Sequence, residues 1–146
     1  MEKIIKTASQ QEDEQLFLKH ADLALLEMQK AAEEIEIVGV GLVAYVHGDK
    51  TAEWVSKMKV VKAIGDDEAN FLAIAYTKAS EMVSTYRDSG SEVRPPLRGE
   101  FGYKGGVIRK VRSGYLLATF SGAHWKKDLL VAETGLNSLL KYIKES

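Results

Sequence analysis

IVGVGLVAYVHGDKTAEWVSKMKVV, Ile37–Val61, is the stretch on which the fold turns. Its first part, Ile37 to Val46, carries no charge and is nearly continuous in apolar, largely β-branched residues, the pattern of a strand covered on both faces. His47-Gly48-Asp49-Lys50 then reads as a hairpin turn. From Ala52 to Ile64 the pattern switches: Trp54, Ser56, Met58 and Val60 alternate with Glu53, Val55, Lys57 and Lys59. That period of two predicts a second strand, antiparallel to the first. Gly39-Val40-Gly41 lacks the third glycine of a dinucleotide fingerprint and lies inside the strand rather than after it. Glycine within a strand marks close approach of a helix or another backbone.

A doubly covered strand needs a layer on each side, and the flanking sequence supplies helices. From Glu12 to Ile35, Phe17, Ala21, Leu25, Met28, Ala32 and Ile35 recur at three- and four-residue steps, one stripe of a long helix. Asp66 and Asp67 are N-cap candidates for a second helix, with Leu72, Ala75, Tyr76, Ala79, Val83 and Tyr86 on one stripe and a stop near Gly90. Ser91–Gly106 is irregular, since its two prolines and spaced glycines exclude a helix. Gly106–Arg112 and Tyr115–Ala123 read as another hairpin. A last helix follows, with Trp125, Leu129, Ala132, Leu136, Leu140 and Ile143 on its buried stripe. The order is helix, two strands, helix, two or three strands, helix: an α+β chain in one domain spanning residues 1–146, with helices packed on the faces of an antiparallel sheet.

Composition agrees. A chain of 146 residues with 45% hydrophobic and 28% charged residues suits a single soluble globular domain with a substantial core. Without cysteine there are no disulfides, thiolate nucleophiles or cysteine-bound metal sites. The formal net charge of −1 argues against a nucleic-acid binder, whose affinity rests largely on phosphate neutralisation. The short basic clusters Lys57/Lys59/Lys62, Arg109/Lys110/Arg112 and Lys126/Lys127 read as solvated faces. The first fifteen residues lack the apolar core of a secretory leader, and no stretch approaches the ~20 apolar residues of a membrane helix. The expected location is cytoplasmic, with neither nucleic acid nor membrane as partner.

Motifs for named chemistry are absent. No Walker sequence or nucleophile elbow occurs, and His20, His47 and His124 are too far apart for a local metal chelate, so no metal ligands and no catalytic residues are assigned. Three features remain as ligand-site candidates. Lys78, in the apolar half of the second helix, is either a lysine with its stem along the helix flank and its amine in water, or a buried binding lysine. Gly102-Tyr103-Lys104-Gly105-Gly106, near Arg98, forms either a backbone nest for an anion or a plain turn. Ser121-Gly122-Ala123-His124 precedes the last helix, where free N–H groups and the positive dipole end gather. There His124 is open to two roles, ligand or cap, with Trp125 anchoring the helix in the core under the second.

These residues resemble the haem-degrading or GlcG/HbpS-like domains, also found as the C-terminal part of some cobalamin adenosyltransferases. The resemblance runs through Ser121, Gly122, Asp128, Val131, Ala132, Gly135 and Leu136, through Gly105-Gly106-Val107, and through Lys78-Ala79. His124-Trp125 stands where the family usually has Thr-Pro, His47-Gly48-Asp49-Lys50 replaces Asp-x-Gly-Gly, and the segment before Gly105 is shortened. The resemblance implies a profilin-like layered α/β/α fold with a roughly five-stranded antiparallel sheet, assembly into homo-oligomers, and haem or corrinoid binding as known for some members. The expected function is a small-molecule-binding module, for haem or another tetrapyrrole or for a small organic acid, with the ligand near Lys78, Gly105, Gly106, Ser121, Gly122 and His124. Two rivals stand beside it. One is an enzyme of haem degradation or small-acid metabolism, with His124 as acid or base; the other is a structural or accessory oligomeric subunit without its own ligand.

Overall fold

A computed structural model describes residues 6–146. Residues 1–5, on which part of the leader expectation falls, lie outside it. The elements are α1 (Ala8–Glu34), β1 (Gly39–His47), β2 (Trp54–Val61), α2 (Phe71–Thr85), β3 (Val107–Val111), β4 (Gly114–Ser121) and α3 (Trp125–Leu140). The strands form one sheet in the order β2-β1-β4-β3, with every pair antiparallel.

The charge-free strand sits where its composition requires. β1 lies between β2 and β4, and all nine of its residues are buried. Val43 and Tyr45, with Leu116, Ala118 and Phe120 of β4, face a core shared with Phe17, Leu25 and Met28 of α1 and Val131, Ala132 and Leu136 of α3. Leu42, Ala44, Val46 and Leu117 face the opposite way, against Ala79 and Met82 of α2. Each of the valine, leucine, phenylalanine and methionine side chains among these contributes roughly 1.5–3 kcal/mol on burial. The strand glycines allow the close approach expected of them: a Cβ at Gly41 would come within 3.2 Å of Met28 Cε. On the other side of Met28, Gly135 of α3 has room for no Cβ at all, because Met28 Sδ and Cγ occupy that space.

Several sequence readings need correction. Among the described residues four strands pair, not the roughly five that the resemblance implies, and Ser91–Gly106 joins no ladder, in keeping with its irregular sequence. Pro95 and Pro96 have no N–H to offer, and neighbouring amides bond to side chains: Leu97 N to Glu100 Oε1 at 2.9 Å, Gly90 N to Glu81 Oε2 at 2.6 Å, and Gly106 N to Ser89 Oγ at 2.8 Å. α1 begins four residues before Glu12, since Thr7 and Gln10 form a reciprocal capping box. The α2 cap is Asn70, whose side chain accepts from Ala73 N at 3.0 Å; Asp66 instead closes a local turn by accepting from Glu68 N and Ala69 N. α2 stops at Thr85, with Tyr86 in the left-handed region at φ 56°. The α3 stripe is rotated from the expected one, so that Asp128, Val131, Gly135, Ser138 and Leu139 are buried while Trp125 is 36% exposed.

At the far end of the sheet a polar cluster holds the start of α1. Buried Asp13 accepts from Ser113 Oγ at 2.5 Å and from Arg112 Nη2 at 3.1 Å, and Tyr45 Oη lies 2.6 Å from Ser113 Oγ. His47, expected in the turn, is instead the last residue of β1, buried, with Nε2 2.7 Å from Glu14 Oε1. The β3 edge is covered by the C-terminal residues, through Arg112 N to Lys144 O and Ser146 N to Lys110 O, which removes a free strand edge.

The Met28 packing gives a test. Gly135→Ala should lower the urea midpoint, by about 1–2 kcal/mol of stability, because overpacking outweighs the gain in helix propensity. In a Met28→Ala background the same substitution should be neutral or stabilising. Additivity of the two changes would rule the contact out as the cause.

Candidate functional site

The site begins with one lysine. Ala75 and Ala79 are small enough to bring α2 close onto β4, where Thr119 Oγ1 donates to Ala75 O at 3.3 Å. Lys78 is thereby turned inward rather than along the flank. Its amine is not in water: the residue is 3% exposed, and Nζ donates to Phe120 O at 2.8 Å and to Asp128 Oδ2 at 3.1 Å. Asp128, also 3% exposed, comes from the first turn of α3. Its Oδ1 accepts from Ala123 N at 3.0 Å, and the neighbouring Gly122 N–H also favours the charged carboxylate. The N–H groups expected to be free for a ligand at Ser121–His124 are thus taken up in part by the chain's own carboxylate, which occupies the favourable end of the helix dipole.

Burial acts on both members of the pair. It pulls the Lys78 amine below its ordinary value, with Asp128 opposing the shift. It pushes the Asp128 carboxyl above the usual range, opposed by Lys78 and by the two backbone N–H groups. Both displacements favour the neutral forms.

Beside the pair lies a cleft of about 610 Å³ between the start of α2, the segment Gly102–Lys104 and the start of α3. Its lining combines Phe71, Ile74 and Trp125 with Tyr103 and Lys104, together with Lys78, Gly122, Ala123 and Asp128. Lys104 Nζ stands 5.1 Å from the Trp125 ring centroid, within reach of a cation–π contact. The Gly102–Lys104 segment belongs to a loop held by the Arg94–Glu100 pair, with Nη1 to Oε1 at 2.7 Å and Nη2 to Oε2 at 3.0 Å. The Arg94 guanidinium, helped by Leu97 N, holds the Glu100 carboxyl down at about 2.

The sequence-predicted residues divide. Lys78 and Gly122 line the cleft. Gly105 lies behind it, where a Cβ would fall 3.1 Å from Asp128 Cβ and 3.2 Å from Lys78 Nζ. Gly106 is a packing residue whose Cβ would meet Met82. Ser121 is buried, its Oγ without a partner among the described residues, and does not line the cleft. His124 is the cap: its Nδ1 accepts from Lys126 N at 3.2 Å, its ring is exposed, and it stands outside the cleft lining. Trp125 is no core anchor but a cleft residue. Sequence reasoning passed over Phe71, Ile74 and the loop-holding pair Arg94 and Glu100. It quoted Asp128 only as part of a resemblance, although an acid in the first turn after a Ser-Gly turn is itself a helix-start signal.

Haem, which the resemblance implies, can be tested against these side chains. Among the described residues no histidine or methionine lines this cleft, and Tyr103 is the one there of a type that ligates haem iron. A histidine-ligated haem does not fit.

An α+β arrangement of three helices on a four-stranded antiparallel sheet, with a cleft where two helices begin, is the class that the geometry defines. No family model matches the chain, and no curated protein matches it. Among solved structures it is similar to the crystal structure of the Klebsiella pneumoniae protein ORFY, which carries the family model DUF336. The identity is 17%, with 95% of this chain and 94% of that chain covered and a TM-score of 0.55. DUF336 is the GlcG-like family, so the likeness of fold agrees with the resemblance read from the sequence.

Glu100 provides a pH test of the loop. Its folded value of about 2 lies below its ordinary value of 4.5, so the stability it contributes is present above pH 4.5 and lost as pH falls toward 2. Urea midpoints measured across that range should fall more steeply for the parent than for Glu100→Gln. Parallel curves would mean that the pair does not hold the loop.

Proposed function

We propose that this protein is a small-molecule-binding module whose ligand is a small organic acid with an apolar or aromatic body. The observation that carries the reading is the pairing, in one cleft, of the apolar surface of Phe71, Ile74 and Trp125 with the Lys104 amine. Clefts of this kind, largely apolar with a few fixed polar groups, are the usual form of small-ligand sites. Asp128 is engaged by Lys78 and by backbone N–H groups, which leaves Lys104 as the charge suited to an incoming carboxylate. Self-association belongs to the same proposal. It is supported by exposed Leu23 and Leu26 on α1 and Leu130 on α3. A 16.2 kDa species in sedimentation at micromolar concentration would remove that part.

Phenyllactate is a suitable probe, read by Trp125 fluorescence in a Trp54→Phe background. Saturable quenching is expected, with affinity lowered about tenfold by Lys104→Glu. Quenching that is unaffected by Lys104→Glu, or no quenching at all, would defeat the assignment.

A further inference from the structure

The Lys78–Asp128 pair is more than the binding reading needs. An ammonium has three N–H donors, yet the described residues offer Lys78 Nζ only two acceptors, Phe120 O and Asp128 Oδ2. Gly105, at φ +115°, packs closely behind the pair, where a Cβ would lie 3.2 Å from the nitrogen and 3.1 Å from Asp128 Cβ. Lys78 and Asp128 both contribute to the surface of the cleft on the other side. An amine in a water-poor site, with an acid 3.1 Å away and a ligand-sized cleft against both, is the arrangement that lets lysine act as a nucleophile toward carbonyls.

We propose that Lys78 forms an imine with a carbonyl-bearing organic acid bound in the cleft, with Asp128 as the proton carrier. This rests on the cleft being a binding site for organic acids. The Nζ lone pair attacks the carbonyl carbon, and the C=O π bond opens to a carbinolamine as its oxygen takes a proton from Asp128. Nζ then returns a proton to the Asp128 carboxylate. Asp128 protonates the hydroxyl, which leaves as water as the C=N bond forms. One amine, one carbonyl compound and the Asp128 proton give one iminium, one water and the Asp128 carboxylate paired with it; no electrons are gained or lost. Burial favours the neutral amine and the neutral acid from which this sequence starts.

Phenylpyruvate and phenyllactate differ only in having a carbonyl or a hydroxyl at the second carbon, so they separate imine formation from binding. The full-length chain is incubated near neutral pH with phenylpyruvate and sodium cyanoborohydride, which reduces the imine to a stable secondary amine. Intact mass should rise by the mass of the keto acid less one oxygen atom. Peptide mapping should find the adduct at Lys78, favoured about tenfold over exposed lysines and suppressed by phenyllactate. Lys78→Arg keeps the charge and the donors but cannot form the imine, and should show no adduct at this position. Should that variant fail to fold, the map of the parent protein still decides. Phenyllactate binding without an adduct at Lys78, or an adduct confined to Lys104 and other exposed lysines, overturns the imine and leaves the binding reading standing. Absence of both binding and adduct overturns the two together.

Discussion

The buried Lys78–Asp128 pair is the constraint around which the functional end of the molecule is arranged. It joins α2, on one face of the sheet, to α3, on the other, past the end of β4, where Phe120 O takes a share of the amine. A buried ion pair is a poor source of stability in itself, because desolvation of both charges consumes most of their attraction. Here the cost is lowered by further bonds: the carbonyl on the lysine side, and Ala123 N on the carboxylate side. Those same bonds orient the turn into α3 and so set where Trp125 projects. The cleft follows from the pair, since its surface includes both members and the turn they hold.

The opposite face of the sheet solves a different problem. α1 must lie close to both the sheet and α3, and small residues make that possible, with Met28 filling the space that Gly41 and Gly135 leave open. A flexible thioether suits an irregular gap between three elements. Farther along α1, Asp13 is satisfied by Ser113 and Arg112, so the turn between β3 and β4 is tied to the first turns of the helix. Buried polar groups with all partners present specify one register of helix on sheet, where apolar contacts alone tolerate several.

The chemistry available at the cleft follows from which groups are already engaged. The α3 start, which looks like an anion site from its position alone, receives a carboxylate from within the chain. His124, the residue best suited by type to bind a metal or move a proton, spends Nδ1 on its own helix. What is left facing the cleft is an apolar surface, an exposed lysine on an indole, and a buried amine with an acid beside it. These groups favour an organic acid over a histidine-ligated tetrapyrrole.

The sequence by itself determined the three helices, the two hairpins and the double burial of β1, because each is encoded in a local period or in an unbroken apolar run. It also marked Lys78, Gly122 and the start of α3 as places to look. It misread cap positions by a few residues, since Asp66 and Asn70 are equally good caps and only the direction of the chain after Val61 selects between them. The fifth strand, implied only by the resemblance, is absent among the described residues, and around the irregular Ser91–Gly106 segment the amides of Gly90, Leu97 and Gly106 are held by the side chains of Glu81, Glu100 and Ser89. Only the tertiary structure decided that Lys78 is buried, that Trp125 faces outward and that Asp128 occupies its own helix start. The burial of Lys78 depends on a partner far along the chain, Lys78 and Asp128 being 50 residues apart. Local patterning carries no record of which charge will meet which across a sheet.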